Sequence, residues 1–291
     1  MNFEEQALAF VCQENTLYGI LSLPDQAATR GVLIVVGGPQ YRAGSHRQFT
    51  LLARQLASHG IPAMRFDYRG MGDSQGAPKN FEDVSDDIGA AIDQFMAAAP
   101  GLKEVAIWGL CDAASAAIFY AHRDARVCGL ALLNPWVRTG QGMARAYLKH
   151  YYLKRILDPG LWQKIARGRF DSKAAIRSML TMLRTVMPPR KQSAVGNQAD
   201  VATAQSGAIS LPDKMHEGLT RFKGKILLVL SGNDMTAQEF SDLLSTSGKW
   251  KKLLQERKAQ RHQLANANHT FSQQEWRDQV AAWTIAWLQS W

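Results

Sequence analysis

The sequence predicts an α/β protein with a mostly parallel, doubly wound sheet and an inserted helical cap. Short, wholly apolar runs of the kind that is buried on both faces of a parallel sheet alternate with segments of helical spacing. Such alternation favours helices packed on both faces of the sheet. The gap between the runs at 127–133 and 225–230 is too long for an ordinary connection, which indicates the insertion.

The predicted strands follow one another in a regular order along the chain. Two β-like runs, around Ala7–Cys12 and Leu17–Leu23, suggest an opening hairpin that ends at Pro24. Short apolar runs then predict buried strands at Gly31–Val36, Ile61–Phe66, Val105–Trp108, Val127–Leu133 and Lys225–Leu230.

Helical spacing predicts helices between these strands. The pattern covers about 48–59, 81–99 and 113–121, and a last helix runs from about 273 to 289. The helix at 113–121 begins immediately after a predicted strand. The chain must therefore turn sharply at this point.

This pattern divides the chain into a core of residues 1–135 and 221–291 and a helical cap of residues 136–220. The segment 138–225 has 17 Lys and Arg against 5 Asp and Glu, whereas the whole chain has a net charge of +9. The cap is therefore basic and the core slightly acidic. Its stretch Tyr147–Phe170 mixes aromatic, leucine and basic residues, which suits an apolar face over a pocket, a membrane surface or an anionic ligand.

Composition disfavours several classes of protein. No apolar run reaches the roughly 18–20 residues of a membrane span, and no nucleic-acid-binding motif accompanies the basic charge. The acidic start lacks the leader of a secreted protein, so we expect a cytoplasmic protein. The cysteines Cys12, Cys111 and Cys128 show no metal-ligand spacing and are expected to be free thiols, with Cys12 and Cys128 buried in strand-like runs.

Cys111 lies on the sharp strand-to-helix turn, in the sequence WGLCDA at 108–113. A side chain at the apex of such a turn is strained and projects above the sheet, and the residues two positions away must be small, as Gly109 and Ala113 are. The adjacent helix N-terminus stabilises an anion, which favours the thiolate. Asp112 lies one residue past the apex and is a poorer candidate for the nucleophile.

Two further motifs offer an acid and a base. Asp234 follows the strand at 225–230, where a carboxylate can orient an imidazole, and His269 lies in a loop before the last helix. The order of nucleophile, acid and histidine suits nucleophilic catalysis in this class of fold. Asp242 is the rival for the acid; the rivals for the base are His262, which reads as a surface residue, and His46.

These motifs resemble those of the α/β-hydrolase superfamily over essentially the whole chain. The resemblance is carried by Gly37–Pro39, Asp67–Ser74, the turn around Cys111, Asp234 and Asn268–Phe271. The Gly109–Asp112 tetrapeptide and the cap length are similar, more narrowly, to the hydrolase 1 family associated with exosortase A systems. The loop at Asp67–Ser74 is more often a structural turn than a substrate contact in this fold.

The resemblance implies a role for each matched residue. Cys111 falls on the nucleophile, Asp234 on the acid and His269 on the base. Cysteine replaces the serine that the superfamily usually has at this position, so the reaction itself is left open.

The resemblance also implies an oxyanion hole, the pair of N–H groups that binds the developing negative charge. The N–H of Asp112 falls on one donor. The other is expected from Gly38, with Gln40 as the alternative because Pro39 has no N–H. The expected substrate-binding residues are Gln40, His46 and Trp136.

We therefore expect hydrolysis of an ester or thioester through an acyl-Cys111 intermediate, with no metal or organic cofactor. A thiolate suits activated acyl donors, because poor leaving groups allow the thiolate to depart first. One alternative is an acyltransferase that passes the acyl group to a hydroxyl of a polysaccharide or lipid. Another is a non-catalytic binding module that uses the basic cap. The expected partner is a small acyl substrate, and the basic cap allows this substrate to be anionic or lipid-like. The same cap allows peripheral contact with a membrane.

Overall fold

The structure, a computed structural model, describes residues 2–38, 40–137 and 209–291. The chain forms two compact units, one of Met1–Val137 with Pro212–Trp291 and the other of Arg138–Leu211. The predicted cap at 136–220 lies mostly outside the described residues, as does its basic stretch Tyr147–Phe170. The boundaries of the cap stay a prediction. Within the described ranges, no helix is long and apolar enough to cross a membrane.

A single eight-stranded sheet runs through the first unit, in the order β1-β2-β4-β3-β5-β6-β7-β8. All neighbouring pairs from β4 to β8 are parallel, while β2 runs antiparallel to β1 and β4. The strands are β1 Phe3–Cys12, β2 Asn15–Pro24, β3 Arg30–Val35, β4 Ala63–Asp67, β5 Glu104–Leu110, β6 Val127–Leu133, β7 Lys225–Ser231 and β8 Gln260–Leu264. The predicted mostly parallel sheet is confirmed.

Helices connect these strands and cover both faces of the sheet. They are α1 Gln48–Ser58, α2 Ser85–Ala98, α3 Asp112–Ala121, α4 Leu211–Arg221, α5 Met235–Thr246, α6 Gly248–Glu256 and α7 Gln274–Gln289. The main core cluster joins alternate residues of the parallel strands to α1 and α7. The helices α2 and α3 pack together against the other face, where the ring of Phe95 covers Gly31 of β3.

The sequence patterns missed β8 and predicted one helix to be longer than it is. The strand Gln260–Leu264 is polar and largely exposed because, within the described part of the chain, it forms the edge of the sheet beside β7, so no apolar run predicts it. His262 lies on this strand and stacks on Trp283 at 4.2 Å between ring centroids. The predicted helix at 81–99 begins as a separate 3-10 turn, Phe81–Asp83, before α2.

The Asp67–Ser74 loop is held by buried polar contacts. Asp67 is fully buried and accepts from the backbone N–H of Arg42 at 2.6 Å, which ties β4 to the loop that follows β3. Ser74 donates to the carbonyl of Asp67 at 2.6 Å and accepts from the N–H of Tyr18 at 3.0 Å. These contacts give the loop the structural role that its glycines suggested.

Arg69 and Asp87 form a buried ion pair that fixes the same loop against α2. The carboxylate of Asp87 accepts from the backbone N–H of Arg69 at 2.8 Å and from its guanidinium at 2.8 and 2.9 Å. Both side chains are almost completely buried, with 4% and 0% of their surfaces exposed. Removing one partner would leave the other as an uncompensated buried charge.

We predict that Asp87→Ala lowers the free energy of unfolding by about 3–5 kcal/mol, as expected when one partner of a buried pair is lost. Urea denaturation measures the change. Asp86→Ala is the matched control, because Asp86 lies in the same first turn of α2 but is 64% exposed. Its carboxylate is 3.8 Å from the Arg69 guanidinium, farther than the 2.8 Å of Asp87. That control should lose no more than about 1 kcal/mol. Equal losses in the two variants would contradict the assignment.

Candidate active site

Cys111 lies at the carboxyl end of β5, where the chain turns directly into α3. Its backbone has φ 64° and ψ −124°, a conformation that residues other than glycine rarely adopt. The N–H of Cys111 donates to the carbonyl of Leu133 at 2.9 Å, and its own carbonyl accepts from the N–H of Ala114 at 3.1 Å. The strained turn is therefore fixed by β6 on one side and by α3 on the other. The thiol itself is half-buried.

Steric crowding explains why the residues two positions from Cys111 are small. A Cβ on Gly109 would lie 2.7 Å from the backbone of Ala113 and of Ala114. Real Cβ atoms are not found that close to a backbone. Ala113 is itself 1% exposed. The chain thus crosses over β5 so closely that only glycine fits at 109.

His269 and Asp234 meet at the same edge of the sheet. The imidazole Nδ1 of His269 lies 2.9 Å from Oδ2 of Asp234. Asp234 also caps α5, where its carboxylate accepts from the N–H groups of Thr236 at 3.2 Å and Ala237 at 3.0 Å. The cap fixes the carboxylate, and the carboxylate in turn fixes the imidazole. Asp242, the rival acid, lies farther along within α5.

The electrostatics of this pair favour a charged imidazole. The hydrogen bond to Asp234, followed by one to Cys111, raises the pKa of His269 to about 10, although burial opposes the shift. Burial would raise the pKa of Asp234, but the His269 hydrogen bond and charge and the capping N–H groups hold it below its usual value. His269 is therefore an imidazolium at neutral pH and lies beside the thiol. A neighbouring cation stabilises a thiolate.

Asn134 connects the strand ends that carry the site, a role that the sequence did not reveal. Its side chain is fully buried, and its Nδ2 donates to Ser231 Oγ at 2.6 Å and to the carbonyl of His269 at 3.1 Å. Its Oδ1 accepts from the N–H of Ser231 at 2.9 Å. In the sequence, Asn134 directly follows the predicted strand Val127–Leu133 and belongs to none of the motifs considered above. Its position, at the same edge of the sheet as Cys111 and Asp234, was the available signal.

The N–H of Gly38, the predicted oxyanion donor, forms a hydrogen bond within the protein. Gly38 donates to Oδ2 of Asp112 at 2.8 Å, and Ala113 donates to Oδ1 of the same carboxylate at 3.0 Å. Burial raises the pKa of Asp112 by more than these N–H groups lower it. The alternative donor, Gln40, uses its N–H in a tight turn to the carbonyl of Gly38 at 2.8 Å.

The predicted substrate-binding residues fall in different places. Trp136 lies beside the site, because its N–H donates to the carbonyl of Cys111 at 3.2 Å and its carbonyl accepts from Ser115 Oγ at 2.7 Å. Gln40 is half-buried, and its Oε1 has no hydrogen-bond partner among the described residues. His46 is exposed on the 3-10 turn that precedes α1, where its φ is 53°.

The sheet order, the strained turn after β5 and the acid and histidine after later strands define an α/β-hydrolase. The chain belongs to the family described as "Serine aminopeptidase, S33", whose model matches residues 27–268. Members of the superfamily usually have serine where this chain has Cys111. No curated protein sequence matches the chain.

Solved structures of similar fold extend over nearly the whole chain. An esterase of Pyrococcus furiosus is 15% identical, with a TM-score of 0.65 over 99% of this chain and 92% of its own. Est1E of Butyrivibrio proteoclasticus, solved with ferulic acid, is 13% identical, with a TM-score of 0.60 over 97% and 98%. Dienelactone hydrolase of Anabaena variabilis is 14% identical, with a TM-score of 0.57 over 100% and 99%. At these identities the likeness shows the fold.

We predict that Asp234→Asn moves the pKa of His269 from about 10 back toward its ordinary value of 6.5, because the largest cause of the shift is lost. Titration of the histidine ring protons by NMR measures this. Folding raises this pKa, so the pair stabilises the folded state fully below pH 6.5, and that contribution is lost as the pH rises through 10.

Asp242→Asn is the control for this titration, since Asp242 lies in α5 away from the pair. It should leave the His269 curve unchanged. A His269 that titrates near 6.5 in the unaltered protein would contradict the assignment.

Proposed function

We propose that this protein hydrolyses an ester or thioester through a covalent acyl-Cys111 intermediate. The observation that carries the proposal is the hydrogen-bonded pair of His269 and Asp234, 2.9 Å apart, in contact with a cysteine on a strained strand-to-helix turn. This arrangement supplies a nucleophile, a proton carrier and a group that orients the carrier. Membership of a hydrolase family and the esterase among the similar folds support the same reaction class.

In the acylation step, Sγ of Cys111 attacks the acyl carbonyl carbon. The carbonyl π electrons move onto oxygen, and backbone N–H groups near the turn receive the resulting oxyanion. When the carbon–oxygen double bond re-forms, the bond to the leaving group breaks. The imidazolium of His269 gives its proton to that group. Asp234 keeps the ring oriented throughout.

Deacylation reverses these roles with water. Neutral His269 takes a proton from the water, whose oxygen attacks the acyl carbon, and the bond to Sγ breaks. The thiolate is then restored beside the imidazolium. A hydroxyl acceptor in place of water would give acyl transfer, so the acceptor decides between hydrolase and transferase.

The cysteine limits the substrates that we propose. A thiolate is a better leaving group than an alkoxide or an unprotonated amide nitrogen, so the tetrahedral intermediate formed from an ordinary amide returns to substrate more readily than that formed from a thioester. Thioesters and activated esters have leaving groups that compete with the thiolate. We therefore propose activated acyl donors as the substrate class. The narrower likeness to the exosortase-associated hydrolases and membrane contact through the basic cap stay predictions from the sequence.

Intact-mass spectrometry after incubation with short- and long-chain thioesters and p-nitrophenyl esters tests the proposal. The unaltered protein should gain the mass of one acyl group, and Cys111→Ala should gain none. Cys111→Ser should gain it far more slowly or not at all. Loss of the adduct with time in water indicates a hydrolase, whereas loss only after a hydroxyl acceptor is added indicates a transferase.

Cys128→Ala is the matched control, because burial raises the pKa of Cys128 to about 11 and keeps its thiol protonated at neutral pH. This variant should be acylated like the unaltered protein. An adduct that persists in Cys111→Ala would contradict the proposal, and so would the absence of an adduct with every donor.

A further inference from the structure

The carboxylate of Asp112 lies among the N–H groups that an oxyanion hole would use. Its Oδ2 accepts from the N–H of Gly38 at 2.8 Å and its Oδ1 from the N–H of Ala113 at 3.0 Å. Its own backbone N–H also interacts with the carboxylate. The donors expected to bind an oxyanion thus already face a negative charge that belongs to the protein.

The loop after β3 is shaped to accept this carboxylate. A Cβ on Gly37 would overlap Oδ1 of Asp112, so glycine at this position leaves the space that the carboxylate fills. Gly38 has φ 60°, in the left-handed region that favours glycine, and its N–H faces Asp112. The backbone N–H of Arg42, bonded to Asp67 at 2.6 Å, anchors the far side of the same loop to β4. The loop after β3 is therefore held at both ends, by Asp112 at Gly38 and by Asp67 at Arg42.

A carboxylate oxygen and a tetrahedral oxyanion require the same donors. Both are negatively charged oxygens that accept short, charge-assisted hydrogen bonds. A substrate carbonyl must therefore displace Asp112 from the N–H of Gly38 before that donor can stabilise the transition state. Until it does so, the carboxylate also repels any anionic group that a substrate brings close to Cys111.

We propose, building on the acyl transfer proposed above, that Asp112 is a specificity-determining residue. Its carboxylate holds the N–H of Gly38 until an acyl carbonyl oxygen displaces it, and it disfavours acyl groups that carry an anion near the carbonyl. Asp112 slows acylation and selects neutral acyl groups over anionic ones.

The surroundings of Asp112 define what else its charge affects. Its charge interacts with the hydroxyl of Tyr68, which is almost completely buried, and with the imidazole of His269. Removing the carboxylate leaves the pair of His269 and Asp234 in place, because their hydrogen bond does not involve Asp112. Substitution of Asp112 therefore tests the occupied donors rather than the nucleophile.

The test compares the unaltered protein with Asp112→Asn and Asp112→Ala at neutral pH. The donors are p-nitrophenyl acetate, which is neutral, and mono-p-nitrophenyl succinate, which carries an anion close to its acyl carbonyl. Sγ of Cys111 forms the thioester and p-nitrophenolate leaves, so absorbance measures the acylation rate directly. Asn keeps the shape of the side chain and an acceptor for Gly38, whereas Ala frees the donor completely.

We expect acetylation to be about tenfold faster in Asp112→Ala, with a smaller gain in Asp112→Asn, since a hydrogen bond to a charged group is worth about 1.5–3 kcal/mol, or roughly tenfold or more. The preference for acetyl over succinyl should fall toward unity in both variants. Asp93→Asn removes a carboxylate that is 68% exposed on α2, and it should leave both rates unchanged.

Each other outcome contradicts this inference. If Asp112 only clamps the loop, Asp112→Asn will behave as the unaltered protein and the acetyl preference will persist. If Asp112 donates a proton during the reaction, both variants will be slower. If the unaltered protein is acylated and one of these two results is observed, only this inference is wrong. If none of the three proteins is acylated, the proposed function is wrong as well. Circular dichroism and urea denaturation establish that each variant is folded.

Discussion

The strained backbone at Cys111 is the constraint on which the rest of the site depends. A φ of 64° and ψ of −124° is unfavourable for cysteine, by roughly 1–3 kcal/mol, and persists only because the surrounding structure fixes it. That fixation comes from the carbonyl of Leu133 in β6 and from the close crossing of α3 over Gly109. The parallel order of β5 and β6 therefore places the thiol, and the buried core beneath them supplies the free energy.

The remaining site residues depend on the same edge of the sheet. In a parallel sheet the carboxyl ends of neighbouring strands lie side by side, so residues far apart in sequence meet there. Asn134 after β6 and Asp234 after β7 both contact the loop of His269 in this way, at 3.1 and 2.9 Å. Asn134 reaches the backbone of that loop and Asp234 reaches its imidazole. The histidine is thus fixed by two strands to which it does not itself belong.

The sequence determined the positions of most of this framework because the relevant patterns are local. The run Val127–Leu133 is apolar throughout and is observed as β6 with the same bounds. The polar edge strand Gln260–Leu264 has no such pattern and was missed. The contact between the Gly38 N–H and Asp112, at 2.8 Å, joins residues 74 positions apart. No spacing rule reports a contact of that kind, because it depends on how two loops approach each other.

Backbone atoms fix the chain at position 111: the N–H of Cys111 donates to Leu133, and its carbonyl accepts from Ala114 and Trp136. These backbone contacts place no demand on which heteroatom the side chain carries. A single-nucleotide change between cysteine and serine codons could exchange sulfur for oxygen without disturbing the scaffold. The reaction that depends on the side chain at position 111 can thus change in evolution while the fold and its stability are kept.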